Sequence, residues 1–152
     1  MKIHPTEDLR VLSIARRLRI PDVGAAAAEL APVIEADCHR YGFVAAGPWV
    51  FIAQGLPRDG KTEFDWRICL PVTGAETYDG PLDFLHLEPV MVASAVHMGP
   101  LRSLFTQGYR PLLQDIEASR HVLSGQSREI YHDWRGAGAS FGRIEIQFEL
   151  AR

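Results

Sequence analysis

Hydrophobic and polar residues alternate along several stretches of the chain, a pattern typical of β-strands with one buried face. In residues 63–72 the alternation places Phe64, Trp66, Ile68 and Leu70 on one side. Comparable β-rich patterns occur in residues 11–19, 49–54, 89–97, 128–134 and 143–150. We therefore predict six strands.

Two further stretches predict helices. Residues 23–41 contain an alanine-rich segment of high helix propensity, and Gly42 is suited to end that helix. Pro32 lies inside this stretch and removes a backbone hydrogen bond, so a kink or a split is predicted there. The second helix is expected to open at Gly99-Pro100 and to be interrupted by Pro111. Its apolar face is marked by Leu101, Leu104, Phe105, Gly108 and Leu112.

The apolar pattern repeats along the chain at an offset of 78 residues, as between Gly47 and Gly125. At this offset residues 12–19, 47–52 and 66–70 lie over residues 90–97, 125–130 and 144–148. Each half then consists of a strand, a helix and two strands, with repeat one at about 9–73 and repeat two at about 85–150. Residues 73–81 would connect the halves.

Such a duplication predicts an α+β fold of two β-α-β-β modules related by a pseudo-twofold axis. The sheet would be antiparallel-rich, with the helices on one side. The sheet face away from the helices would stay open along the junction of the modules, and a concave junction of this kind is a common place for a ligand.

Composition fits one globular domain spanning residues 1–152, since 47% of the residues are hydrophobic and 23% are charged. The net charge of −3 argues against direct nucleic-acid binding. Cys38, Cys69 and the six histidines show no metal-ligand spacing, so neither a metal nor a cofactor is predicted. Without a signal-peptide pattern or an apolar run of membrane-spanning length, a cytoplasmic protein with no membrane partner is expected.

The last two strands carry the most promising polar residues. If Ile130 packs inward, Glu129 and Tyr131 share the open sheet face with Glu145. A carboxylate beside aromatic rings could neutralise a flat organic cation, or could act as a general acid or base if burial raises its pKa. In the alternative interpretation the two glutamates are solvated and pair with Arg67, Arg128 or Arg143.

Four further residues are candidates for a ligand site. Trp66 fits core packing best, whereas Trp49 and Phe51 share a face that either belongs to the core or forms a pocket wall. His97 stands just before Gly99-Pro100. Its ring either bonds a backbone group or lines a site. No motif for a nucleophilic serine, a phosphate loop or a dinucleotide is present.

Several segments resemble the GyrI-like family, the effector-binding domain found behind AraC- and MerR-type DNA-binding segments and as free-standing proteins. Residues 97–100, His-Met-Gly-Pro, resemble its His-x-Gly-Pro motif. Residues 125–131 resemble its Gly-Pro-x-Arg-Glu-x-Tyr strand, and residues 145–148 resemble its closing strand. Residues 46–48 and 70–72 also fit, so the resemblance covers about residues 9 to 150.

The resemblance implies a cleft for hydrophobic, aromatic and often cationic small molecules, with an acidic residue framed by aromatic rings. Glu129 or Glu145 would be that residue, and Tyr131 its aromatic neighbour. The function implied is effector sensing or drug sequestration, with a separately encoded DNA-binding partner as one possible context. Some relatives instead hydrolyse cyclopropane-bearing toxins with a glutamate, and others inhibit DNA gyrase.

This chain departs from the family pattern at three positions. Leu101 stands where a tyrosine is common, Ala53 is the repeat partner of Tyr131, and Glu149 replaces the closing proline. The missing tyrosines alter the expected pocket more than the fold. Replacement aromatic surface would come from Trp49, Phe51, Trp66 or Trp134.

Overall fold

All six predicted strands are present in the computed structural model, which describes residues 1–133 and 141–152. Within those residues nine strands form one antiparallel sheet in the order β1-β7-β9-β8-β4-β5-β2-β6, with β3 paired to β5. The strands are β1 Lys2–Pro5, β2 Leu9–Leu18, β3 Val44–Ala45, β4 Trp49–Gln54, β5 Phe64–Thr73, β6 Asp83–Leu87, β7 Met91–Pro100, β8 Leu123–Tyr131 and β9 Phe141–Leu150. The predicted α+β, antiparallel fold is confirmed.

Strand pairing repeats at the predicted offset in the two central hairpins. Ile52 lies opposite Arg67 in β4 and β5, and Ile130 lies opposite Glu145 in β8 and β9. The overlay of the first strands is wrong by three residues. In the first half Leu12 lies opposite Leu70. The counterpart of Leu70 in the second half is Phe148, and the residue opposite Phe148 is Ala93. Leu12 therefore corresponds to Ala93 and not to Val90. The offset differs because the segment from β7 to β8 is three residues shorter than the segment from β2 to β4.

Two α-helices cover one face of the sheet, as predicted. The helix α1, Val23–Arg40, buries Leu30 and Ile34 against Trp66 and Ile68 of β5. The helix α2, Arg110–Glu117, buries Leu112 and Ile116 against apolar residues of β9. Because each helix covers one half of the sheet, a gap is left between them where β4 meets β8.

The other sheet face carries a smaller apolar cluster of its own. Val11, Val50, Ile52 and Cys69 pack there, and Ile130 lies against them. Burial raises the pKa of the Cys69 thiol to about 12. Cys69 therefore stays protonated and packs as a small apolar side chain, as expected for both cysteines, which are free and buried.

The sheet is strongly curled. The strands β1 and β2 are six strand spacings apart in the sheet order, about 29 Å if the sheet were flat. Only three residues link them, and the four steps from Pro5 to Leu9 span at most about 14 Å. This link is fastened to the β6–β7 link, since Thr6 N–H donates to the Val90 carbonyl at 2.8 Å and Val90 N–H donates to Thr6 Oγ1 at 2.9 Å. The link lies over the face away from the helices, where Pro5, Thr6 and Leu9 line a cavity together with Val50 and Ile130, so that face is concave.

The helix α1 continues through Pro32 without a break, so the predicted split is wrong. Pro32 is exposed, while Leu30, Ala31 and Ile34 on either side of it are buried. Packing of that buried face holds the helix together across the missing hydrogen bond. No helix in the described residues is long and apolar enough to cross a membrane.

Replacing Pro32 with Ala is expected to raise the free energy of unfolding by about 1–2 kcal/mol. Alanine restores the hydrogen bond to Ala28 and relieves the ring clash, and part of that gain is offset by a more flexible unfolded chain. Urea unfolding of the two proteins measures the change. An unchanged or lower stability would contradict this account of the helix.

Candidate functional site

A pocket opens on the helix-covered face, in the gap between the two halves. It holds about 550 Å³ of empty space, part of it open to solvent. The sheet strands β4, β5 and β8 form its floor, and the segments that open each helical region form its walls. Its lining includes Ile20, Val23, Phe51, Ala53, Leu56, Phe64, Trp66, Leu104, Phe105, Tyr109, Glu129 and Tyr131.

Glu129 is the acidic side chain of this pocket. It lies in a row across the sheet between Phe51 of β4 and Ile146 of β9. The Tyr131 hydroxyl donates to its Oε1 at 2.6 Å, and the Tyr109 hydroxyl donates to its Oε2. Burial raises the pKa of Glu129, and the two tyrosine hydrogen bonds oppose that rise without cancelling it. The two hydrogen bonds fix the position of the carboxylate, and its apolar surroundings make the ionised form less favourable than it is in water.

Aromatic rings frame this carboxylate. Phe51 lies with its ring centre 4.5 Å from that of Tyr131 and 5.2 Å from that of Trp66. On the opposite wall, Phe105 stacks on Tyr109 at 5.0 Å with an interplanar angle of 26°. The result is an apolar, aromatic cup with one acid at its floor, which is suited to a cation with a large apolar surface.

The sequence analysis missed Tyr109, which an unusual helical turn brings into the pocket. A 3-10 turn, Leu101–Ser103, follows β7, and a π-helix, Leu104–Tyr109, leads into α2. The wide π-helical turn directs Tyr109 inward, and Pro111 sits in the first turn of α2, where its missing N–H is tolerated. Phe105, predicted as part of the apolar face of the second helix, is 44% exposed and forms part of the pocket wall.

Gly108 permits this arrangement. A Cβ added at Gly108 would lie 2.8 Å from Ile146 Cδ1 and 3.2 Å from His97 Cβ. The π-helix therefore rests directly on the sheet at this point. The glycine just before Tyr109 is the sequence signal that marks a close approach there.

The prediction that Glu129 and Glu145 share a sheet face is wrong. Ile130 packs on the face away from the helices, against the cluster that contains Val50 and Ile52. Its neighbours Glu129 and Tyr131 consequently point to the helix side, and Glu145 lies opposite Ile130 on the far side. The cleft that contains Glu129 is accordingly on the helix-covered face rather than on the open one.

Glu145 lies among imidazoles and an amide on the far face. Its Oε1 is 3.0 Å from His132 Nε2, Gln147 Nε2 donates to its Oε2 at 2.7 Å, and His4 Nε2 lies 3.7 Å from Oε2. Burial by itself raises the pKa of Glu145, but the bonds from Gln147 and His132 outweigh it, and the pKa is lowered. Its partners are thus not the arginines of the alternative interpretation.

Of the remaining candidates, Trp49 and His97 lie beside the pocket rather than in its lining. Trp49 is buried in the core under α1. His97 is buried beneath the π-helix, with Nε2 3.2 Å from the Pro100 carbonyl oxygen. Trp66 and Phe51 do line the pocket, Ala53 lies at its floor, and Trp134 is outside the described residues.

Solved structures share this fold. A crystal structure of the EcmrR C-terminal domain matches with a TM-score of 0.75 and 19% identity, covering 99% of this chain and 96% of that one. A cryo-EM structure of an EcmrR–DNA complex matches with a TM-score of 0.77 and 20% identity over 99% of this chain. The chain spans only 57% of that protein's length.

A third structure, of SAV2435 bound to tetraphenylphosphonium, matches with a TM-score of 0.58 and 14% identity over 99% of this chain and 93% of that one. No family model and no curated protein matches the chain. At these identities the comparisons show that the chain has the fold of these domains.

Proposed function

We propose that this chain is a GyrI-like effector-binding domain that binds aromatic, lipophilic cations in the pocket around Glu129. The observation that carries the proposal is the Glu129 carboxylate, bonded by the hydroxyls of Tyr109 and Tyr131 inside an aromatic cup. We assign ligand recognition to this chain and assign DNA binding to none of its residues.

The charge balance of the pocket supports this function. An ionised carboxylate in an apolar site is unfavourable unless a positive charge compensates it. The tyrosine hydroxyls already occupy both oxygens of Glu129, so its ligand need not donate a hydrogen bond. A cation whose charge is spread within apolar groups fits that requirement. The same arrangement favours a fixed countercharge over a base that activates water, as a hydrolase would need.

The related structures are consistent with this proposal. SAV2435 was solved bound to tetraphenylphosphonium, a cation without hydrogen-bond donors that carries four aromatic rings. EcmrR was solved in a complex with DNA, and its C-terminal domain spans nearly the same length as this chain. By analogy, we propose that this chain binds such cations and acts as the sensing domain of a DNA-binding regulator.

Titration of the protein with tetraphenylphosphonium tests the function. Trp66 lines the pocket, so saturable quenching of tryptophan fluorescence is the expected signal. Tetraphenylborate has the same shape and the opposite charge, and it is the matched control. We expect the cation to bind at least about tenfold more tightly than the anion. Equal affinities, or no saturable binding of either ion, would contradict the proposal.

Affinity for tetraphenylphosphonium is expected to fall as the pH is lowered. The cation binds the ionised form of Glu129, and burial raises the pKa of that carboxyl. Below that pKa a proton competes with the ligand, so Kd rises by about tenfold per pH unit. The loss therefore begins at a higher pH than the pKa of an ordinary glutamate would give. Titrations between pH 4 and pH 8 measure it, and a flat profile would argue against Glu129 as the countercharge.

A further inference from the structure

A second cavity lies on the far face of the sheet, separated from the Glu129 pocket by the strands themselves. It holds about 1010 Å³ of empty space, part of it open to solvent. The link between β1 and β2 forms one wall. Leu9, Val50 and Ile130 supply apolar surface, and the polar side chains include Arg128, Glu145 and Gln147. Curling of the sheet makes this face concave.

Gln147 lines this cavity and carries an unpartnered oxygen. The side chain is only 6% exposed, and its buried Oε1 has no hydrogen-bond partner among the described residues. The orientation of the amide is defined, because Nε2 donates to the Glu145 carboxylate at 2.7 Å and the flipped amide would bring two oxygens together. A buried acceptor left unsatisfied is costly, so this oxygen calls for a donor from a bound molecule.

Arg128 supplies a positive charge next to that oxygen. It is also only 6% exposed, and the side-chain hydrogen bond it makes within the described residues goes from Nε to the neutral amide oxygen of Gln126 at 3.3 Å. Arg128 and Gln147 stand directly opposite each other on β8 and β9. Residues paired in this way hold their side chains side by side on one face. Among the described residues no carboxylate forms an ion pair with Arg128, and Glu149 acts on it only at longer range. A buried guanidinium in this state is suited to an anionic ligand group, above all a carboxylate.

Glu145 completes the arrangement with a negative charge beyond Gln147. Hydrogen bonds from Gln147 and His132 lower the pKa of Glu145, so it is ionised at neutral pH. The Glu145 carboxylate therefore attracts a positively charged donor towards Gln147, while the Arg128 charge on the neighbouring strand requires that the same ligand also carry a negative group. The cavity thus offers a site for a carboxylate at Arg128 and a site for an ammonium group at Gln147, one strand spacing apart.

We propose that this far-face cavity binds a free α-amino acid with an apolar side chain. The ligand carboxylate pairs with Arg128, the ammonium group donates to Gln147 Oε1 near Glu145, and the side chain packs on Leu9, Val50 and Ile130. Such a molecule carries both charged groups on one carbon, which matches the adjacency of Arg128 and Gln147. The site is independent of the function proposed for the Glu129 pocket.

Calorimetric titration with L-leucine, L-valine and L-phenylalanine tests this proposal on the unaltered protein. N-acetyl-L-leucine lacks the ammonium group and L-leucinamide lacks the carboxylate. We expect saturable binding of at least one amino acid. For L-leucine we expect a loss of about tenfold or more when either charged group is removed. The proposal is overturned if none of the three amino acids saturates below about 10 mM, or if the blocked analogues bind as well as L-leucine.

Variants then assign the binding to the far face. Gln147→Met removes the unpartnered oxygen at nearly constant volume, and we expect it to weaken amino-acid binding by about tenfold or more. Glu129→Gln lies on the other face and should leave amino-acid binding unchanged. Melting temperatures identify any variant that fails to fold. If Gln147→Met does not fold, the titrations of the unaltered protein with the blocked analogues test the proposal instead. Full amino-acid binding by a folded Gln147→Met protein would overturn the assignment. Because tetraphenylphosphonium is titrated separately, failure of one proposal leaves the other measurable.

Discussion

Replacing Glu129 with Gln is expected to weaken tetraphenylphosphonium binding by about 2–3 kcal/mol, which corresponds to about 30- to 150-fold in Kd. The substitution removes the negative charge but keeps the size of the side chain. The Gln amide oxygen still accepts from one of Tyr109 and Tyr131, and its NH₂ group donates to the other. The fold is therefore expected to survive, and the loss reports the charge rather than the packing. Tryptophan quenching measures Kd for both proteins.

Glu145→Gln is the matched control for this experiment. It makes the same chemical change in the same sheet, but Glu145 lies on the far face, among His4, His132 and Gln147. We expect the Kd for tetraphenylphosphonium to stay within about twofold of the parent value, since interaction across the sheet is weak at physiological ionic strength. Equal losses in the two variants would show that the pocket around Glu129 is not where the cation binds.

Replacing Gly108 with Val is expected to lower the free energy of unfolding by about 3 kcal/mol. The new Cβ would lie 2.8 Å from Ile146 Cδ1 and 3.2 Å from His97 Cβ, and both neighbours are buried. Ile146 Cδ1 is the end of a flexible side chain, but Ile146 is fully buried and His97 Cβ is attached to the backbone, so we expect the π-helix to shift away from the sheet. Because Tyr109 is the next residue, its hydroxyl would leave Glu129. We therefore expect weaker cation binding as well as a lower urea midpoint.

Gly24→Val provides the control for Gly108→Val. Gly24 lies in α1, and a Cβ added there meets no atom within 4 Å. Valine has a better helix propensity than glycine, so stability should stay the same or rise by a few tenths of a kcal/mol. Similar destabilisation by both substitutions would mean that the close contact at Gly108 is not what requires glycine.

Local sequence patterns predicted most of the secondary structure. The alternation in residues 63–72 identified the buried face of β5, and the alanine-rich stretch identified α1. The offset of 78 residues aligned the corresponding residues of the two central hairpins correctly. These features depend on neighbours within a few residues or on a repeated register, so the chain itself carries the information. The strands β1, β3 and β6 were missed because they are short and contain no buried residue, without a clear alternation.

The candidate site shows the limit of such patterns. Residue types predicted an acid among aromatic rings, and Glu129, Tyr131, Phe51 and Trp66 do line one pocket. Alternation also separated Glu129 from Ile130, but it could not say which side faced the helices. Both sheet faces carry apolar clusters, so an isoleucine fits either one. The conditional assignment that placed Glu129 beside Glu145 failed for this reason.

The sequence by itself determined six of the nine strands in the described residues, the two helical regions and the repeated register of the central hairpins, because periodicity and propensity act over short distances. Tertiary structure decided which sheet face Glu129 and Glu145 each occupy, because both faces carry an apolar cluster against which Ile130 could pack. Tertiary packing also keeps α1 continuous through Pro32, because the buried face of the helix compensates for the missing hydrogen bond. Tyr109 points into the pocket because the π-helix contacts the sheet at Gly108. Curling of the sheet, imposed by the three-residue link between β1 and β2, placed Arg128, Glu145 and Gln147 in one cavity. Each of these results depends on contacts between residues far apart in the chain, which no local pattern records.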